Sequence, residues 1–207
     1  MKVILVNGSP DRHGCTATAL AEVAAALEHD GIETEMFHIG GKPLSGCLGC
    51  GRCRDSGRCF IDDCVNDFIA RAASADGFVF GSPVYFASAN GAMTAFMDRV
   101  FYAAPRGMFF MKPAAAVVSA RRAGTTATLD QLNKYFMITQ MPIVSSQYWN
   151  MVHGNTPDEV RQDLEGLQIM RTLGKNMAYM LRCMEAGRAA GVPLPAREPR
   201  AVTNFIR

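Results

Sequence analysis

The chain has 207 residues, of which 49% are hydrophobic and 19% are charged, and its formal net charge is +2. This composition predicts one folded domain with a substantial core and argues against disorder. The small net charge, without a basic run or a basic–aromatic stripe, argues against a nucleic-acid partner. The apolar runs are too short to span a membrane, and the N-terminus indicates a strand rather than a signal peptide. We therefore expect a cytoplasmic protein with no membrane contact.

The first twenty residues predict a strand, a turn-rich loop and the start of a helix. Lys2–Val6 is a short run of apolar residues, typical of a strand buried on both faces. Residues 7–14 form the loop, and helical spacing of apolar residues begins at Cys15. The first N–H groups of a helix have no internal partner and attract anions. Four side chains add donors: Ser9, Arg12, Thr16 and Thr18. A phosphate-binding loop is the functional interpretation, and an ordinary strand–helix turn is the alternative, since neither G-x-G-x-x-G nor G-K-[ST] is present.

The rest of the chain alternates predicted strands with predicted helices. Further strands are expected over Glu33–Ile39, Phe78–Gly81, Pro113–Ser119 and Pro142–Ser146. Helices are expected over Asp62–Ala73, after Asn90, around Leu129–Met137, and as one long helix that starts after Thr156 and passes through Gly166 and Gly174. This alternation predicts an α/β fold with a doubly wound, five-stranded parallel sheet in the order 2-1-3-4-5. The loops after strands one, three and four then meet at one edge of the sheet.

The domain boundaries follow from composition. Residues 1–190 are predicted to form the folded domain, with a cysteine-rich loop over residues 41–64. Residues 191–207 contain three prolines and are predicted to form an extended tail.

The cysteines are unevenly placed, with five of the seven inside eighteen residues. Four of them follow the spacing C-x2-C-x2-C-x5-C: Cys47, Cys50, Cys53 and Cys59. In a reducing compartment such a set is more typical of metal or redox chemistry than of disulfides. Four thiolates on a short loop suit a [4Fe–4S] cluster or a zinc ion, and empty reduced thiols are the third alternative.

Three segments together resemble the NADPH-dependent FMN reductase branch of the flavodoxin-like superfamily: Asn7–Pro10 with Thr16, Gly81–Phe86, and Phe96–Arg99. The cysteine spacing, which closes with Ile61–Asp63, resembles the iron–sulfur flavoproteins, which carry FMN and a [4Fe–4S] cluster on the loop after the second strand. The resemblance extends from residue 1 to about residue 185.

The resemblance implies a role for each loop. Ser9, Arg12 and Thr16 are expected to hold the FMN phosphate. One group is expected beside the flavin ring and ribityl chain: Pro83, Val84, Tyr85 and Phe86. Residues 119–124, which include Ser119, Arg121 and Gly124, are expected near the other side of the ring, and Cys47, Cys50, Cys53 and Cys59 are the expected cluster ligands.

The function that the resemblance implies is an FMN-dependent oxidoreductase that passes electrons from a reduced donor, through FMN and a [4Fe–4S] cluster, to a small-molecule or protein acceptor. The alternatives are a cluster-free NAD(P)H-dependent FMN or quinone reductase and a non-catalytic flavin carrier. A homodimer or homotetramer is expected. His153 is interpreted either as a flavin or substrate contact or as a surface histidine. Cys15 is interpreted as an activated thiol or as an inert small residue near the phosphate.

Overall fold

The structure is a computed structural model that describes residues 1–199 and 201–203. Its strands are β1 (Lys2–Asn7), β2 (Glu33–His38), β3 (Gly77–Tyr85), β4 (Ser88–Ala89), β5 (Ala114–Ala120) and β6 (Met151–His153). Its helices are α1 (Cys15–His29), α2 (Cys53–Ser56), α3 (Cys64–Ala72), α4 (Gly91–Ala103), α5 (Thr125–Ile138), α6 (Pro157–Gln162) and α7 (Leu164–Ala189). Among the described residues, no helix is both long enough and apolar enough to cross a membrane.

The parallel strands follow the order β2-β1-β3-β5-β6. The two-residue strand β4 pairs antiparallel with the end of β3 and stands outside this order. Without β4, the observed order is the predicted 2-1-3-4-5, and the doubly wound α/β fold is confirmed. The reversal of strand order lies between β1 and β3, where ligands bind in open sheets of this kind.

Helices cover both faces of the sheet, as expected for parallel strands buried on both sides. On one face, α1 and α7 pack over alternate residues of the central strands, among them Val3, Leu5 and Val79. On the other face, α3, α4 and α5 enclose an aromatic cluster in which Phe68, Phe80 and Phe96 are fully buried.

The fifth strand of the sheet lies later in the chain than the sequence predicts. Of the predicted strand Pro142–Ser146, only Ile143 pairs with the sheet, through a single bridge to Ala114. The chain then leaves the sheet, and β6 completes the edge by pairing Met151 with Val118. Residues 145–149 are polar or exposed, whereas the first two residues of β6 are buried. The buried residues Met151 and Val152 therefore complete the edge of the sheet.

The long C-terminal helix is interrupted once. The predicted cap is confirmed, because the Thr156 hydroxyl accepts a hydrogen bond from Glu159 N and starts α6. At Asp163 the backbone leaves helical geometry, and its carboxylate accepts from Gly166 N at 2.9 Å and from His153 N at 2.7 Å. Asp163 is thus the N-cap of a new helix, α7. After Gly191 the described residues form no helix or strand.

Candidate functional site

The loop after β1 is tied to β3 and to the start of α4 by hydrogen bonds. Gly8 N donates to Gly81 O at 2.8 Å, which joins this loop to the middle of β3. The buried Asn90 side chain donates to Gly8 O at 2.7 Å, and its own N–H donates to Ser82 Oγ at 3.2 Å. The predicted convergence of these loops is therefore present, and it forms a crevice at the point where the strand order reverses.

The loop after β1 is held from within. Ser9 is buried, its N–H donates to Asn7 Oδ1 at 3.0 Å, and its hydroxyl accepts from Asp11 N at 3.1 Å. Arg12 is exposed, and its carbonyl accepts a long hydrogen bond of 3.4 Å from the Asn7 amide. The loop leads to Gly14, the N-cap of α1, which provides no side-chain cap.

Thr16, in the first turn of α1, connects that helix to β5. Its hydroxyl and that of Ser119 lie 2.8 Å apart, and both residues are buried. Gly81 makes this approach possible, because a Cβ atom there would lie 2.9 Å from Thr16 Cγ2 and 2.7 Å from Leu20 Cδ1. The Thr16 hydroxyl thus joins α1 to β5 beneath the crevice. Its backbone N–H is one of the first N–H groups of α1, which have no partner within the helix.

The predicted ring-binding segment forms a hairpin. Pro83 and Val84 are half-buried, Tyr85 is exposed, and β4 returns alongside β3 by pairing Ser88 with Tyr85. Phe86 and Ala87 form the tip with φ of 52° and 58°, values that a two-residue type I′ turn needs and that glycine or asparagine adopts more readily. The Phe86 side chain is fully exposed at this tip.

The loop after β5 packs under this hairpin. Gly124 has φ of 93°, and a Cβ atom there would lie 2.6 Å from Ala87 Cα. Gly124 also starts α5 without a side-chain cap, whereas α3, α4, α6 and α7 all begin with one. Arg121 and Arg122 are exposed on the same loop. The two helices that begin at the crevice, α1 and α5, therefore keep free N–H groups there.

The four predicted cluster ligands line one pocket. Its wall includes all of them, namely Cys47, Cys50, Cys53 and Cys59, together with Phe60, Arg99 and Tyr102. Cys47 and Cys50 are exposed, whereas Cys53 and Cys59 are half-buried. Within the described ranges, no three or more His, Cys, Asp or Glu side chains are gathered around a position for a single metal ion. The cysteines thus share a pocket but do not converge on one point.

Arg99 also lines this pocket, although the sequence assigned it no role. It lies in α4 with only 1% of its surface exposed, and its Nε donates to Cys59 Sγ at 3.3 Å. Burial opposes its charge, but hydrogen bonds to Asp63 and Cys59 raise the pKa of the guanidinium. Its spacing in the sequence indicates that it is buried. Arg99 lies three residues after the core residue Phe96 and four before the buried Ala103, which places it on the same face of α4.

Two further candidate residues are Cys15 and His153. The Cys15 thiol donates to Gly154 O at 3.6 Å, and burial raises its pKa, as do the charges of Glu159 and Asp11. A raised pKa argues against an activated thiol and favours the inert small residue. His153 lies at the end of β6, with its ring Nδ1 3.9 Å from Asp163 Oδ2.

Comparison with known proteins agrees with this geometry. Residues 1–156 match the family model described as NADPH-dependent FMN reductase. An iron–sulfur flavoprotein of Methanocaldococcus jannaschii is 32% identical over 195 residues, which cover 89% of this chain and all of that protein.

Two solved structures share the fold at low identity. A WrbA-like flavodoxin from Agrobacterium tumefaciens superposes with a TM-score of 0.63 at 17% identity, covering 88% of this chain and 98% of that one. A flavone reductase superposes with a TM-score of 0.70 at 16% identity, covering 89% of this chain but only 64% of that one.

The crevice and its loops define a flavodoxin-like, flavin-dependent oxidoreductase. The chain belongs to the NADPH-dependent FMN reductase family, and FMN is the cofactor that this membership supports.

Proposed function

We propose that this protein passes electrons from a reduced donor, through FMN and a [4Fe–4S] cluster, to a small-molecule or protein acceptor. One observation carries the proposal: the four cysteines of the C-x2-C-x2-C-x5-C motif line a single pocket at one end of α4. The other end of α4 begins at Asn90, which is bonded to Gly8 in the crevice. Arg99 lies nine residues after Asn90, which corresponds to about 14 Å along the helix. One helix therefore connects the two proposed redox sites.

The free start of α1 suits the FMN phosphate. Its uncapped N–H groups, the Thr16 N–H among them, favour an anion, and Arg12 on the adjacent exposed loop adds a positive charge. Ser9 is fixed by two hydrogen bonds and presents a hydroxyl on the same loop.

The hairpin and the loop after β5 suit the flavin ring. Pro83, Val84, Tyr85 and Phe86 supply an apolar and aromatic wall, and residues 119–124 supply the facing loop. The free N–H groups at the start of α5, together with Arg121, favour negative charge on this side. Bound FMN supplies the one- and two-electron chemistry, and the surrounding residues bind and orient it.

The cysteine loop suits an iron–sulfur cluster by charge as well as by ligand type. Arg52, Arg54 and Arg58 lie among the ligands, and the buried Arg99 touches one of them. These cations offset part of the net negative charge of a cluster held by four thiolates, although Arg58 and Arg99 are also paired with Asp62 and Asp63. The cluster would exchange single electrons with its partner, whereas zinc would supply no redox chemistry.

A second candidate is direct reduction by NAD(P)H without a cluster, which the description of the matching family favours. For both candidates we propose a cytoplasmic homodimer or homotetramer whose acceptor reaches the exposed hairpin.

The first test is a visible spectrum with iron and sulfide analysis on protein purified without oxygen. The proposal expects flavin bands and about four irons per chain. Flavin without iron, together with rapid bleaching on anaerobic addition of NADPH, would instead establish the second candidate. Protein that takes up no FMN would contradict both.

A further inference from the structure

The guanidinium of Arg99 is saturated with hydrogen bonds. A guanidinium carries five N–H donors and no acceptor. Nε donates to Cys59 Sγ at 3.3 Å. Nη1 donates to Asp63 Oδ2 at 2.7 Å and to Ser45 O at 3.3 Å, and Nη2 donates to Asp63 Oδ1 at 2.8 Å and to Ile61 O at 3.0 Å. Five donors thus meet five acceptors, a pattern that the three donors of a lysine cannot reproduce.

These acceptors lie on both sides of the cysteine motif. Ser45 precedes the first cysteine, whereas Cys59, Ile61 and Asp63 stand at or beyond the last one. One side chain therefore ties the two ends of the segment that carries Cys47, Cys50 and Cys53. Closing a flexible loop costs conformational entropy, and here α4 closes it without a metal.

Cys59 is the most firmly placed of the four ligands. Its N–H donates to Asn66 Oδ1 at 2.8 Å, and its carbonyl accepts from Asn66 Nδ2 at 3.0 Å. Asn66 of α3 thus fixes the backbone while Arg99 of α4 fixes the sulfur. Cys47 and Cys50 are exposed, so the pocket combines one preset ligand with two accessible ones.

We propose that Arg99 is a positioning residue of the metal site: it presets Cys59 and retains its Nε–H hydrogen bond to the Cys59 sulfur after a cluster has bound. This inference rests on the cluster of the proposed function. A hydrogen bond donated to a ligand sulfur stabilises the more negative, reduced form of a cluster. Arg99 therefore raises the reduction potential in addition to ordering the loop.

The test compares Arg99→Lys with Arg58→Lys. Arg58 is a matched control, since it lies in the same loop and pairs with Asp62 at 2.8 Å but is exposed to solvent. Both variants and the wild type are loaded anaerobically with iron and sulfide, and the cluster potential is measured by a redox titration followed by electron paramagnetic resonance. We expect a more negative potential in Arg99→Lys, which loses the Nε–H hydrogen bond to Cys59, and an unchanged one in Arg58→Lys, which keeps the positive charge of an exposed side chain.

A second readout needs no cluster. In the metal-free proteins, backbone hydrogen exchange over residues 45–63 is expected to rise about tenfold in Arg99→Lys and to stay at the wild-type rate in Arg58→Lys. If Arg99→Lys does not fold, the double variant Arg99→Gln, Asp63→Asn replaces it, because that pair removes both partly buried charges together.

The outcomes separate this inference from the function on which it rests. Wild-type protein that binds no iron would overturn the cluster, and the hydrogen bond to it as well. Wild-type protein that binds iron, with the same potential in Arg99→Lys, would overturn the inference alone. Increased exchange with an unchanged potential would show that Arg99 has only a structural role, and this result would also overturn the inference.

Discussion

The crevice and the cysteine pocket lie at opposite ends of α4 and are built in different ways. In the crevice, backbone segments approach each other closely at Gly8 with Gly81 and at Gly124 with Ala87, and the buried side chains of Asn90 and Thr16 add hydrogen bonds. The cysteine pocket is held mainly by side chains, chiefly Arg99 and Asn66, and two of its four thiols are exposed. Contacts made by backbone atoms leave little freedom, whereas an exposed loop can rearrange around a ligand.

This contrast matches the two cofactors proposed for the protein. A flat ring and a phosphate bind best to a preformed crevice, because ordering loops at the moment of binding costs affinity. A cluster brings its own geometry and folds flexible ligands around itself. The two regions should therefore respond differently to substitution, and the free energy of unfolding of the metal-free protein is a common scale for both.

The largest effect is expected at the crevice, from Gly124→Ala. The added Cβ would meet Ala87 Cα at 2.6 Å, and φ of 93° is unfavourable for alanine. We expect a loss of about 2–4 kcal/mol in urea denaturation, together with weaker FMN binding in a fluorescence titration. Gly91→Ala is the control, because open space surrounds that position. Equal losses in both variants would show that the hairpin contact is unimportant.

A smaller effect is expected from the hydroxyl pair beneath the crevice. Thr16→Val keeps the shape of the side chain but leaves the buried Ser119 hydroxyl without its partner. We expect a loss of about 1–2 kcal/mol, and the double variant Thr16→Val, Ser119→Ala should lose less than the sum of the two single variants. A double-mutant cycle in urea measures this coupling. Strictly additive losses would mean that the pair does not stabilise the junction of α1 and β5.

The smallest effect on stability is expected at the cysteine pocket, from Cys47→Ser. Its thiol is exposed, so the free energy of unfolding should change by less than about 0.5 kcal/mol. Iron content after anaerobic loading should nevertheless fall well below that of the wild type. Cys183→Ser is the matched control, since Cys183 is also exposed but lies on α7 outside the pocket. Full iron uptake by Cys47→Ser would remove Cys47 from the ligand set.

The elements that could be predicted from sequence are those governed by local pattern. The apolar run Lys2–Val6 and the cap at Thr156 are local signals, and both appear as expected. The sequence predicts the edge strand at Pro142–Ser146, whereas the structure has it at β6. The pairing of a three-residue strand depends on its neighbour β5 rather than on its own residues. The helix break at Asp163 also depends on another part of the chain. The Asp163 carboxylate accepts a hydrogen bond from the backbone N–H of His153, and local sequence does not indicate that contact.

The candidate site likewise has a part that the sequence predicts and a part that it does not. Loops that follow predicted strands could be assigned to one edge of the sheet, because parallel topology brings their ends together. The role of Arg99 could not be derived in that way. Its acceptors lie 36 to 54 residues away in sequence, and only the packing of α4 against the cysteine loop brings them within reach.

The position of Arg99 in the chain also bears on biosynthesis. Because synthesis runs from the N-terminus, Cys59 leaves the ribosome 40 residues ahead of the arginine that holds its sulfur. The pocket is therefore incomplete for as long as the nascent chain lacks α4. During that interval the cysteine loop lacks the side chain that ties its two ends together.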